Sequence, residues 1–227
     1  MDGMDAQSPG LLNLSPMQQL RAGRMGRRIT QLLVGLVIFG VSIALVLRGG
    51  LGMSPWDVLH VGIARHVPLS IGTVSILVGC LVLLLWIPLK QWPGLGTILN
   101  IFVVGIALDA TLAVVHEPAS QGWVNWLARA GLLVSGIVLN GLAGALYIGS
   151  QLGPGPRDGL MTSLTGLIGW PIGLIRGLIE VSVLTLGWVL GGPVGLGTVA
   201  YALAIGPLTQ LLLPLCLVRL HPERTAP

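Results

Sequence analysis

The chain has 227 residues, 53% of them hydrophobic and only 9% charged, with a net charge of +4. Its mean hydropathy is +0.88. A water-soluble domain carries about 25% charged residues, so a soluble globular enzyme or binding module is excluded. The few positive charges cluster beside apolar runs, which marks a topology signal and not a nucleic-acid footprint.

Residues 1–27 are polar, contain Arg21, Arg24 and Arg27, and lack the apolar stretch of a cleavable signal peptide. They predict a mobile cytoplasmic tail with a short interfacial helix around "SPMQQLRAGRMGRR". Six apolar runs follow, at 29–47, 71–89, 96–115, 130–148, 172–190 and 196–218. Each is close to the roughly 20 residues that cross a bilayer as a helix. The basic residues before the first run set the N-terminus in the cytoplasm by the positive-inside rule. Lys90, Arg157, Arg219 and Arg224 then fall on the same side, whereas the loops 116–123 and 191–195 carry no Lys or Arg. Arg48, Arg65 and Arg129 are exceptions on the outer side. Trp86, Trp92, Trp123, Trp126, Trp170 and Trp188 stand near predicted span ends, where interfacial tryptophans are expected. Tyr147 also reads as interfacial.

Two polar interruptions break this pattern, "GLGMSPWDVLH" at 50–60 and "QLGPGPRDGLM" at 151–161. They belong to a longer duplication. An ungapped shift of 101 residues aligns Arg28 with Arg129, Gly35 with Gly136 and Leu51-Gly52 with Leu152-Gly153. It also aligns Pro55, Asp57 and Leu59 with Pro156, Asp158 and Leu160, "GLGT" at 94–97 with "GLGT" at 195–198, and Gly105 with Gly206. Three spans per unit force the second unit to enter the membrane from the opposite side. The predicted fold is therefore an all-α polytopic membrane protein of six transmembrane helices, arranged as two inverted-topology three-helix repeats. The predicted organisation is a tail at 1–27, repeat 1 at 28–118, an outward linker at 119–128, repeat 2 at 129–218 and a cytoplasmic tail at 219–227. Inverted repeats of this kind frame the binding sites of many secondary transporters.

Each interruption is too short to cross a bilayer and opens like a helix. Ser54 stands as N-cap, Pro55 at the first helical position and Asp57 at the third; Gly155, Pro156 and Asp158 hold those places in the second copy. Gly52 and Gly153 permit the tight turns before them. Each repeat thus contains a short re-entrant or broken helix, which membrane depth tolerates only under cover of protein or a water-filled cavity. Two roles fit Asp57 and Asp158. They cap the free N–H groups of their own helices, or they line a route for a proton, cation or polar solute.

Other polar residues inside spans extend the candidate pathway. Arg176 and Glu180 are four apart and share a helix face, as an ion pair between helices or as a substrate site. His60 fits a proton shuttle or a packed histidine. Asn100 and Asn140 fit hydrogen bonds between helices or contacts to solute, and Asp109 fits the outer interface. Cys80 and Cys216 lie in apolar runs and read as packing residues. No metal-ligand spacing, phosphate loop or hydrolase elbow is present, so no enzyme, cofactor or metal is expected.

The segments "GLGMSPWDVLHVGI", "SIGTVSILVG" and "GPGPRDGLMTSL" resemble those of the YczE-like (YczE/YyaS/YitT) bacterial integral membrane proteins, from about Arg28 to about Val218. The resemblance implies a multi-pass protein of the bacterial cytoplasmic membrane, and it carries over no substrate and no site residues. The expected function is a small secondary transporter or permease for a small solute or ion; the alternative is a non-transporting partner that stabilises or regulates a biosynthetic or envelope enzyme. The expected partners are membrane lipids, the solute and a second copy of the chain as a homodimer.

Overall fold

A computed structural model describes residue 11, residues 15–119 and residues 121–220. Among them the secondary structure is helical throughout: α1 (Pro16–Arg21), α2 (Met25–Gly49), α3 (Pro55–Ala64), α4 (Ile71–Trp86), α5 (Leu95–Val114), α6 (Trp123–Gly149), α7 (Pro156–Ile168), α8 (Ile172–Val189) and α9 (Leu196–Cys216). Five of these, α2, α5, α6, α8 and α9, are long and apolar enough to span a membrane. The sixth expected span, α4, has 16 residues, or about 24 Å at 1.5 Å per residue. The chain is an all-helical membrane protein. Of the predicted N-terminal tail, the described part holds α1 and the first residues of α2, and the remainder lies outside the described residues. Between α5 and α6 the non-helical stretch runs from 115 to 122.

Long α2 and α6 form an antiparallel central pair. Gly49 at the end of α2 lies against Arg129 and Leu133 near the start of α6, whereas Gly149 at the end of α6 lies against Gln31 and Cys216. Small residues let the two backbones meet: Gly35 rests on Leu146 and Tyr147, and Gly136 on Ser42 and Val46. α5 packs on α2, and α9 packs on α6. The two ends of the described chain share one face: Arg28 donates to the Gln19 carbonyl, and Gln151 Nε2 donates to the Val218 carbonyl. That face is called the terminal face below, and the opposite one the far face.

The short helices are built as their sequence predicts. Ser54 Oγ accepts the Asp57 N–H at 3.2 Å, and Pro55 and Pro156 open α3 and α7. Their lead-in turns need glycine, since Gly52 and Gly153 sit at φ +113° and +120°. Each turn docks on the "GLGT" segment of the other half. The Gly197 N–H donates to the Leu51 carbonyl at 2.7 Å, and the Gly96 N–H to the Leu152 carbonyl at 2.7 Å. Thr198 Oγ1 accepts the Met53 N–H at 3.2 Å, and Thr97 Oγ1 donates to the Pro154 carbonyl at 2.6 Å. α3 then packs on α8 at the far face, and α7 packs on the end of α4 at the terminal face.

Three sequence expectations change. Arg28 is fully buried and not a flanking charge; it donates to the Gln19, Ser150 and Gln151 carbonyls, two of which follow the end of α6. Trp86 is 1% exposed because its ring covers Gly159, and its Nε1 donates to the Pro156 carbonyl at 3.1 Å. Tyr147 is buried, and its hydroxyl donates to the Gly153 carbonyl at 3.0 Å.

Candidate functional site

A cavity of about 550 Å³ lies between the two halves, inside the usual range for a site that holds a small solute. The two motif helices supply opposite parts of its wall. Ser54, Pro55 and His60 come from the first motif and Gly155, Pro156 and Asp158 from the second; Gly52 and Gly153 stay behind in the docking turns. Arg176 and Glu180 of α8, Asn100 of α5 and Asn140 of α6 also reach it. Of the pathway residues proposed from sequence, only Asp57 stands back from the lining.

Asp57 is buried behind His60. One carboxylate oxygen accepts from the Ser54 hydroxyl, and the other lies 3.6 Å from His60 Nδ1. That separation is longer than a hydrogen bond, and neither Asp57 Oδ1 nor His60 Nδ1 has another partner. Asp158 stands in the first turn of α7 without a side-chain cap hydrogen bond, and its side chain is exposed to the cavity.

Arg176 Nε donates to Glu180 Oε1 at 2.9 Å, so the predicted face-sharing pair forms within α8. Asn140 joins three helices: its Nδ2 donates to Ser42 Oγ of α2 at 2.7 Å, and its Oδ1 accepts from Tyr201 of α9 at 2.8 Å. Asp109 is away from the cavity. Its carboxylate accepts from Ser70 Oγ and from the Gly72 N–H, tying the start of α4 to α5.

Two wall residues were not singled out by sequence reasoning for a site. Trp56 and Arg157 both line the cavity, and the Arg157 guanidinium carbon lies 4.9 Å from the centroid of the Trp56 ring. They are equivalent under the 101-residue shift, but equivalence alone does not bring two residues into contact.

The halves differ where α4 meets α5 and α8 faces α9. A Cβ at Gly72 would collide with the Gly105 carbonyl oxygen, and one at Gly105 would lie 2.5 Å from Ile76. At the equivalent positions in the second half, Gly173 and Gly206, nothing stands within 4 Å of such an atom. The α4–α5 seam is therefore packed at its glycines, and the equivalent glycines of α8 and α9 have no neighbour there.

Comparison with known proteins places these features in a family. The model of a family of unknown function, DUF6198, matches residues 26–214. A protein of Haemophilus influenzae described as uncharacterized is 41% identical over 187 residues, covering 82% of this chain and 84% of that protein. The uncharacterized membrane protein YczE of Bacillus subtilis is 32% identical over 189 residues, 82% of this chain and 86% of its own. The uncharacterized protein YyaS of the same organism is 28% identical over 183 residues, 80% and 90% respectively. No solved structure matches the chain.

Proposed function

The chain belongs to the DUF6198 family, and from that premise we propose that it is a small secondary transporter or permease working by alternating access. In this reading residues 28–118 and 129–218 are inverted-topology repeats in a bacterial cytoplasmic membrane, with the terminal face toward the cytoplasm. The three outer arginines do not oppose that orientation, because each is engaged: Arg48 with the Leu112 carbonyl, Arg65 with the Gly191 carbonyl, and Arg129 with Glu117.

The observation that carries the reading is the inequality of the two glycine seams. Equivalent sequences, Gly72/Gly105 and Gly173/Gly206, are packed in one half and parted in the other. A symmetric scaffold with one closed and one open seam has a mirror state of similar packing, in which α8 closes on α9 and α4 leaves α5. Gln210, equivalent to Asp109, then receives the N–H of Gly173. Exchange between the two states exposes the cavity first to one side and then to the other.

Cysteines at Gly173→Cys and Gly206→Cys, in a chain whose Cys80 and Cys216 are serine, test this. They are expected to cross-link in native membranes in a fraction of molecules, and the cross-link is expected to stop flux in proteoliposomes. Absence of any cross-link, with no flux of small organic ions, amino acids or sugars, would overturn the reading. A stoichiometric copurifying protein would then support a non-transporting membrane partner.

A further inference from the structure

We infer that the cavity takes a small monocarboxylate, gripped by the guanidinium of Arg157 with the indole N–H of Trp56 beside it. This rests on the reading of the cavity as a solute site. The inference comes from asking which polar groups already have partners. Arg176 and Glu180 are bonded to each other. His60 faces Asp57, whose other oxygen is held by Ser54. Among the described residues, Arg157 is the one guanidinium on the cavity wall with neither a hydrogen bond nor an ion pair; its contact is the face of Trp56.

The geometry of that contact leaves the binding edge free. A guanidinium lying over a ring uses its flat face, and its N–H donors point outward in the plane, where they match a carboxylate bidentately. Trp56 Nε1 is a second donor that is buried without an acceptor, a group that costs free energy until an oxygen reaches it. Arg157 and Trp56 Nε1 offer donors only, so a ligand atom that meets both is an acceptor. The Asp57 and Asp158 carboxylates also act on Arg157 through space, so a singly charged ligand is favoured over a dianionic phosphate.

Arg157 also sits where helix formation alone would not put it. It is in the first turn of α7, where the positive end of the helix dipole disfavours a cation. A bound anion relieves that term. Val78, Val82 and Met161 line the same space and accommodate a short apolar body.

The test uses the purified full-length protein in detergent at fixed pH and ionic strength. Sodium propionate, butyrate and hexanoate, with butylammonium chloride and phosphate as contrasts, are titrated by thermal shift and calorimetry. The expected result is stabilisation by the carboxylates and none by butylammonium or phosphate. Arg157→Gln should weaken carboxylate binding at least tenfold. Arg157→Lys, which keeps the charge and loses the fork, should weaken it less, and Trp56→Phe should weaken it a few-fold. Arg129→Gln at the far face should leave it unchanged. Stabilisation by butylammonium or phosphate alone, or by none of the probes, overturns the inference. So does carboxylate binding that persists in all three cavity variants. Carboxylate binding without flux in proteoliposomes would leave this site standing and remove the transport reading; flux of other solutes without carboxylate binding would do the reverse.

Discussion

Arg28 has the clearest energetic role of any single residue. Its guanidinium is fully buried and satisfies three carbonyl oxygens, one ahead of the first span and two just past the end of α6. Replacing it by methionine keeps most of the volume and strands those acceptors. Hydrogen bonds to charged groups contribute about 1.5–3 kcal/mol each, so Arg28→Met should destabilise the protein by at least about 3 kcal/mol. Chemical unfolding followed by tryptophan fluorescence in detergent measures this. Asp57 and Asp158 had two roles open from sequence, and their surroundings differ. Asp57 is buried behind His60 with one oxygen on the Ser54 hydroxyl, whereas the Asp158 side chain meets the cavity. If both serve the pathway, changing the two together to asparagine should abolish flux while the folded yield stays intact. Undiminished flux would remove them from the route.

At the scale of elements, the repeated Leu-Gly turn is a docking device. Each copy seats on the "GLGT" helix start of the other half through a backbone hydrogen bond of 2.7 Å. Gly52 makes this possible with φ +113°, and a Cβ there would lie 2.8 Å from the Gly195 nitrogen. Gly52→Ala should therefore cost about 2 kcal/mol, combining backbone strain with the close contact. Loss of thermal stability in detergent reports it, and an unchanged midpoint would contradict the docking role. The two seams make a second prediction. Gly72→Ala should destabilise, because its Cβ meets the α5 backbone, whereas Gly173→Ala should leave stability unchanged within about 0.5 kcal/mol. The same Gly173→Ala change should slow exchange between states if α8 closes on α9 during the cycle, which flux measurements at equal protein amounts would detect.

For the whole molecule, the two halves hold each other's short helices: α3 rests on α8 and α7 on α4. Neither half buries its broken helix alone, so separately expressed halves should fail to yield folded protein, and coexpression should restore it. Copurification of two tagged halves checks this. The orientation is tested by a C-terminal fusion. A cytoplasmic terminal face predicts a fluorescent C-terminal reporter and an inactive periplasmic phosphatase reporter at the same place.

Five of the six spans and the two short helices were legible in the sequence because each depends on local information. Apolar run length gives a span, identical glycine and proline spacing gives a repeat, and Ser-Pro-x-Asp gives a helix start. The 16-residue α4 was overestimated because the apolar run at 71–89 continues past Trp86, where the chain turns to seat its indole on Pro156. Most proposed pathway residues lie on one cavity wall, since intramembrane polar groups seek either one another or water. Tertiary structure alone decided the rest. Arg28, Trp86 and Tyr147 have the composition of interface residues and are buried because the turn after α6 and the start of α7 present free backbone groups to them. Trp56 meets Arg157 only after the two halves assemble, since the contact spans 101 residues. Which glycine seam is closed is written nowhere in the chain: Gly72 and Gly173 occupy equivalent positions, and only packing between whole helices distinguishes them.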